Sequence, residues 1–379
     1  MHVEILGGGP AGLTLAILLR RADPSRRVRV VERGPRDATW GFGVVFSDRA
    51  LDFLRADAPE LHDVLTPLMQ SWSDLTIVHS DVRIPISGNG FASIGRLQLL
   101  GRLHEQAERS GVVLEFGRAV ADVAELGPAD LLVAADGAFS ASRDARAERF
   151  GTRTDWRHNR FVWYGTRRPF DTLTLTFRRH ATGVYCAHHY RYAPDMSTFL
   201  VEVDEATYQR AGFETMSEAD SLRLCETVFA PDLGGHALVS NRSNWRRFPS
   251  IWNERWSDGN LVLLGDALRT AHFSIGSGTR LAMEDAIFLS RALSAEPRVD
   301  AALQRFQSER VPPMKKIWDA ANVSLAWYEG MGAMMDLDPH EFAYRYMTRS
   351  GRVDHAEVKR RDPALAAAYE RLHPDAAAR

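Results

Sequence analysis

Gly7-Gly8-Gly9-Pro10-Ala11-Gly12 follows a short apolar run at the start of the chain, and Glu32 stands 20 positions beyond Gly12, at the end of a second apolar run, Val28 to Val31. Strand, glycine turn, apolar helix, strand and acidic residue in that order form a dinucleotide-binding fingerprint. Gly7 permits the tight turn out of the strand, Gly9 lets the backbone approach a pyrophosphate, and Gly12 lets the helix pack close on the sheet. Pro10 and Ala11 complete the turn. Glu32 is placed to accept hydrogen bonds from a ribose hydroxyl, and Arg33 beside it is counted in the same nucleotide-binding set. A glycine-rich turn alone would explain the glycines but not their setting.

Two later segments repeat part of this logic. The apolar run Leu131 to Ala135 ends in Asp136-Gly137-Ala138-Phe139-Ser140-Ala141-Ser142-Arg143, and Leu261 to Leu264 ends in Gly265-Asp266-Ala267. Ligands of open α/β sheets bind at the C-terminal ends of such strands. Either segment alone is equally well an Asp turn or helix cap.

The elements that must carry these residues follow from periodicity. A βαβ opening runs through about Glu32, then an irregular stretch from Gly34 to Ser47. A helix is expected from Leu97 to Ser110 and short strands at Val113 to Phe116 and Leu131 to Ala135. Aromatic and β-branched runs at Phe161 to Gly165, Leu173 to Arg178, Val184 to Tyr190 and Ser197 to Val203 predict an antiparallel sheet. A buried strand at Leu261 to Leu264 leads to a long helix from about Thr279, and the chain beyond Arg298 reads as helical, with Pro312-Pro313 marking a kink or break. The fold class is therefore α/β: a Rossmann-like nucleotide-binding domain, an antiparallel-sheet domain for the substrate and C-terminal helices. The expected division is 1–150 and 258–300 for the two parts of the first domain, 151–257 for the sheet and 301–379 for the helical segment. Residues Pro374 to Arg379 are expected to fray.

Composition narrows the classes. The chain has 379 residues, 45% hydrophobic and 25% charged, with formal net charge -2, so nothing electrostatic argues for nucleic acid. Lysine occurs only at Lys315, Lys316 and Lys359, and the abundant arginines read mostly as solvated surface. Cys186 and Cys225 are far apart, which implies neither a disulfide framework nor a dithiol redox centre and suits a reducing cytoplasm. No apolar run approaches the roughly 18 residues of a membrane span. No metal cluster is evident, and a monomer or homodimer is expected.

The three motifs in this order resemble the FAD-dependent aromatic hydroxylases, the single-component flavoprotein monooxygenases. The resemblance implies that Asp266 binds the flavin ribityl chain, that Gly276, Ser277, Gly278 and Thr279 form the glycine turn facing flavin and pyrophosphate, and that Arg96 contacts FAD. It also ties Asp136 through Arg143 to both FAD and NAD(P)H, and matches Asp285 to the acidic residue of the following helix. The chain departs from the family at Arg269 and Phe273, where His and Pro are usual; both changes are expected beside the substrate face of the flavin. A narrower resemblance covers nearly the whole chain. Trp40 to Ser47, Asn159 to Thr166, Asn241 to Pro249, Ala271 to Gly278 and Met347 to Ser350 look like the salicylyl-CoA and anthraniloyl-CoA hydroxylases, and several of these segments are shared with the indole-hydroxylating enzyme of violacein biosynthesis.

The resemblance implies an enzyme with FAD as cofactor and NADPH or NADH and O2 as co-substrates. A flavin hydroperoxide transfers its terminal oxygen to an electron-rich ring, most simply the 5-position of an aryl-CoA thioester, or alternatively a free aromatic or indole compound. Among His188, His189, His236 and His272, each more often a packing residue when taken singly, His272 with Phe273 and His189 are the catalytic candidates. Trp163, Tyr164 and Tyr190 are expected on the pocket wall, although aromatic residues on strands are more often core. Arg242, Arg246 and Arg247 form one basic cluster, and Arg345, Arg349 and Arg352 another, suited to CoA phosphates or to ordinary surface ion pairs. Flavin-dependent halogenases are excluded, because no lysine precedes Lys315 and the Trp-x-Trp-x-Ile-Pro segment is missing. A flavin-binding module without turnover is the non-enzymatic alternative.

Overall fold

The computed structural model describes residues 1–374 apart from Ala38 and Trp40, with only the backbone of residues 48–50. Trp40, which belongs to the narrower resemblance, and residues 375–379, expected to fray, lie outside the described residues.

The nucleotide-binding sheet has the spatial order Ser257–Asp258, Leu261–Leu263, Leu131–Ala134, His2–Leu6, Arg27–Glu32 and Val113–Phe116. All neighbours pair in parallel except the short hairpin at Ser257–Asp258. His2–Leu6 is central, so its side chains are buried on both faces and its sequence shows no alternation. The helix Pro10–Ala22 starts with proline at its first position and buries Leu13, Ala16, Ile17 and Leu19 between this sheet and the helix Gly278–Ala295.

The second sheet is wider than the aromatic runs foretold. Its eight strands include the 15-residue strand Thr152–Thr166, which pairs with Met196–Val203 along one edge and with Arg246–Asn253 and Leu238–Val239 along the other. Two strands come from within the first 150 residues: Leu75–His79 pairs in parallel with Leu173–His180, and Val82–Ile86 closes the edge. The 1–150 segment thus contributes to both layers. A small third sheet, Gly43–Ser47 with Phe91–Gly95 and Gln70–Trp72, bridges them and includes the end of the stretch read as irregular. It leads into the helix Arg96–Arg109, whose first amide donates to the Phe42 carbonyl at 2.8 Å.

The helix Val299–Glu329 passes through Pro312 and Pro313 without ending, contrary to a break there. Interior prolines cost a helix roughly 3 kcal/mol, and the anchors on either side offset this: Arg310 lies in a buried ion-pair network and Met314 is fully buried. The later helices Pro339–Thr348, His355–Arg361 and Pro363–Leu372 cover the wide sheet, with Phe342, Tyr346 and Met347 packed in the same core as Phe177 and Tyr328.

Candidate active site

A cleft of about 960 Å³ opens between the two large sheets. On one side it meets the C-terminal ends of three parallel strands, where the chain turns at Gly9, Gly137 and Asp266. The helices Pro10–Ala22 and Gly278–Ala295 begin on this wall with no side-chain cap and no acidic residue in the first turn. The Ser277 hydroxyl, which could cap the second, instead donates to the Ile275 carbonyl at 3.0 Å. A Cβ at Gly9 or Gly278 would meet nothing within 4 Å. Both helix starts therefore present free amide N–H groups and positive dipole ends in open space. Gly7, by contrast, is needed for packing: its φ is +110° and a Cβ there would overlap the Ala135 carbonyl.

Charged residues complete this side. Protein surrounds Asp266, yet the side chain keeps surface open to the cleft. Desolvation raises its pKa, while the charges of Arg96 and Arg269 pull it down. Arg96 lies on the same wall, and its Nε donates to Thr39 Oγ1 at 3.0 Å. Glu32 braces the glycine turn: its two carboxylate oxygens accept from the amides of Gly8 and Gly34, each at 2.8 Å. Arg33 is exposed. Asp136 sits behind the wall, with Oδ1 buried and unpartnered among the described residues, and burial raises its pKa. Arg143, from the same motif, is buried and donates to the carbonyls of Ala138 and Ala267, tying two of the three strand-end loops together.

The opposite side is aromatic. Phe161 and Phe273 have ring centroids 5.0 Å apart, His188 meets Phe273 edge-on at 5.3 Å, and Phe248 and Trp163 extend the wall. Trp163 Nε1 is buried and has no acceptor among the described residues. Tyr190 lines the cleft with its hydroxyl donated to the Gly43 carbonyl at 2.9 Å. Tyr164, next to Trp163, faces the other side of the strand and contacts Ser221 at 3.2 Å.

The histidines separate by strand alternation. His188 faces the cleft; its neighbour His189 faces the opposite core, stacked on Phe199 at 5.0 Å and bonded to Thr176 Oγ1 at 3.0 Å, and burial depresses its pKa strongly. His272 is also behind the wall. Its Nδ1 accepts from the Ser274 amide at 3.3 Å, its ring packs on Phe248 and Phe273, and desolvation pushes its pKa down to about 4, so it is neutral. Of the three catalytic candidates only Phe273 reaches the cleft. His236 is exposed and away from it.

The basic clusters divide too. Arg246, Arg247, Arg349 and Arg352 line the cleft, whereas Arg242 is exposed outside it and Arg345 turns to Glu341 at 2.6 Å. Arg247 donates to the carbonyls of Arg157 and Trp156. Arg349 is fixed by Ser324, the carbonyls of Tyr346 and Ser274 and the face of Tyr346 at 3.8 Å. The guanidinium groups of Arg246 and Arg352 have no partner among the described residues.

The sequence and the fold are similar to those of known proteins. Residues 122–321 match the FAD binding domain family and residues 5–53 an NAD(P)-binding Rossmann-like domain. The chain is 40% identical over 362 residues to a salicyloyl-CoA 5-hydroxylase of a Streptomyces species, covering 92% of this chain and 70% of that protein. It is 36% identical over 360 residues to the protodeoxyviolaceinate monooxygenase of Chromobacterium violaceum, covering 92% and 94%. The chain belongs to the FAD-dependent aromatic hydroxylases. The solved structure of 2-methyl-3-hydroxypyridine-5-carboxylic acid oxygenase shares the fold, with a TM-score of 0.71 at 18% identity over 95% of this chain and 97% of that one.

The hydroxylase is thus a flavoprotein monooxygenase that uses NAD(P)H and O2. Its cleft fits FAD: two uncapped helix starts and Arg96 suit an anionic pyrophosphate, and the open space at Gly9 and Gly278 admits close backbone approach. Among the described residues of the hydroxylase there is no group of three or more metal-ligating side chains, no helix long and apolar enough to cross a membrane, and both cysteines are free and buried.

One expectation about the hydroxylase needs correcting. Arg269 does not line the cleft; it is buried, donates to Asp285 at 2.8 Å, and shares that carboxylate with Arg310 at 2.9 Å, while Arg310 also pairs with Glu284 at 2.7 Å. Asp285, too, belongs to this internal network. The partners are 16 and 25 residues apart along the chain, so no local pattern announces them.

Proposed function

We propose that the protein hydroxylates the ring of an aryl-CoA thioester, at the carbon para to a ring hydroxyl or amine, with salicylyl-CoA and anthraniloyl-CoA as reference substrates. The observation that carries this reading is the pair of unpartnered guanidinium groups, Arg246 and Arg352, on the wall of a cleft whose inner part is aromatic. A phosphate-rich handle supplies the charge they lack. The 40% identity to a salicyloyl-CoA 5-hydroxylase supports the same assignment.

In this reading the turns Gly7 to Gly12 and Gly276 to Thr279 hold the FAD pyrophosphate and flavin, Glu32 the ribose, and Arg96, Asp136 and Asp266 the remaining polar groups. FAD, when bound, supplies the reduced ring that activates O2 for transfer of one oxygen atom. The protein orients the substrate ring between Phe161, Phe248 and Phe273, beside Trp163, and excludes water from it.

The test measures NADH and NADPH oxidation by the FAD-loaded protein with the two thioesters, their free acids and tryptophan, followed by product mass. Stimulation by a thioester with a gain of one oxygen is expected, and the same assay gives the nicotinamide preference. The 36% identity to the protodeoxyviolaceinate monooxygenase favours a second reading, a free indole or aromatic substrate, and stimulation by those compounds alone would establish it. Arg246→Ala and Arg352→Ala should each weaken salicylyl-CoA binding about fivefold or more, as expected for one charge-assisted contact, and leave salicylate binding unchanged. Asp266→Ala should weaken FAD binding about ten- to a hundredfold for the same reason; full flavin occupancy in that variant would contradict the role.

A further inference from the structure

Behind the aromatic wall lies a polar cluster that the reading above does not use. Glu202, on the strand Met196–Val203, is 1% exposed. Its Oε1 accepts from Asn159 Nδ2 at 2.8 Å, and its Oε2 lies 3.3 Å from His188 Nε2. Strand pairing fixes the arrangement, because Asn159 precedes a strand residue, Arg160, that is registered with Val203, and His188 is registered with Leu200 on the same strand. Burial alone would raise the pKa of Glu202, but the hydrogen bonds from His188 and Asn159 bring it below its usual value. Glu202 is therefore a carboxylate, and Nε2 of His188 must carry the proton donated to it.

That tautomer leaves His188 Nδ1 as an acceptor. Nδ1 has no partner among the described residues, and the residue lines the cleft beside Phe161 and Phe273. Other groups surround the ring without claiming this nitrogen. The Cys186 thiol, from the same strand, stands 3.6 Å from Nε2, and burial keeps it protonated. Tyr328, from the helix Val299–Glu329, packs its tilted ring at 5.0 Å, and burial keeps its hydroxyl protonated. His272 is neutral, and Arg349 lies over the faces of Tyr346 and Tyr328.

We propose that His188 accepts the proton of the substrate's ring hydroxyl, with Glu202 and Asn159 as positioning residues. This rests on the reading that the substrate is a phenol activated toward attack para to its oxygen. The O–H bond breaks, an Nδ1–H bond forms, and the electron pair stays on the ring oxygen, which raises the electron density at the para carbon. The imidazolium that results is held against the Glu202 carboxylate. It returns the proton to the ring oxygen as the hydroxylated carbon loses its own proton to water, so the cycle closes with no net change at the histidine.

The test is the ionisation of a bound phenol that cannot turn over. 5-Nitrosalicylyl-CoA and free 5-nitrosalicylate carry the nitro group on the carbon para to the hydroxyl, and their phenolates absorb at longer wavelength than the phenols. Each is titrated against pH when bound to the oxidised, FAD-loaded wild type, His188→Gln and Glu202→Gln. His188→Gln is expected to raise the apparent pKa of the bound probe by at least one unit, about a tenfold loss of phenolate at a given pH, and Glu202→Gln to shift it the same way by less. Unchanged ionisation in His188→Gln would overturn the proposal. Binding of the free acid without the thioester would remove the thioester reading and leave the proton comparison intact; binding of neither probe would overturn both. Should His188→Gln fail to hold flavin, His188→Asn and Glu202→Gln carry the comparison, and loss of flavin in all three would make the cluster structural and end the proposal.

Discussion

Asp285→Ala is expected to destabilise the protein by about 3–5 kcal/mol, the usual cost of removing one partner from a buried ion pair. The side chain is fully buried and accepts from both Arg269 and Arg310, each of which is itself buried. Without it Arg310 keeps Glu284, but Arg269 is left with the Leu281 carbonyl and the Met314 sulfur. A cation so placed can neither reach water nor lose its proton. For a chain of 379 residues the loss corresponds to a fall in thermal midpoint of about 5 °C, measurable by calorimetry on the apo protein. Asp285→Asn, which keeps the shape and one acceptor, should lose distinctly less. A midpoint unchanged in Asp285→Ala would mean that the two arginines find other acceptors.

Gly12→Ala is the second large effect, and its sign runs against helix propensity. Inside a helix this exchange ordinarily stabilises by about 1 kcal/mol. Here the new Cβ would overlap the Gly7 carbonyl and meet Ile5 Cγ2 at 3.1 Å, so the helix must back away from the strand it packs on. We expect a destabilisation of about 1–3 kcal/mol, as for other overpacked cores, together with loss of bound FAD. Gly9→Ala supplies the contrast, since its Cβ meets no protein atom within 4 Å. It should retain the stability of the apo protein and still bind FAD more weakly. Thermal midpoints of the apo proteins paired with flavin titrations distinguish the two, and equal behaviour of the variants would contradict the division of labour among the glycines.

The nucleotide-binding half of the fold was legible because its signals are local: turn glycines, apolar strands and an acidic residue at fixed distances. The strand pair Leu75–His79 and Val82–Ile86 was not, because Leu75–His79 is buried throughout and shows no alternation, and its partner Leu173–His180 lies about a hundred residues away. The same limit decided the histidines. The strand Gly183–Ala193 is buried on both faces, so the pattern cannot tell which of His188 and His189 turns to the cleft; the register against Met196–Val203 does. Glu202 gave no sign at all, since a carboxylate inside a strand is informative only when its burial and its partners are known, and Asn159 showed only as part of a resembling segment.

The strand order of the nucleotide-binding sheet also bears on how the chain is made. Leu261–Leu263 lies beside Leu131–Ala134, whereas the glycine turn at the centre of the sheet is complete by residue 12. At ribosomal speeds of about 5–20 residues per second, roughly 6–25 s pass between synthesis of Leu131–Ala134 and of Leu261–Leu263. Throughout that interval the nascent sheet has an open edge at Leu131–Ala134, a buried apolar strand in the finished molecule. Chaperone demand during expression should therefore fall on chains stalled before residue 261.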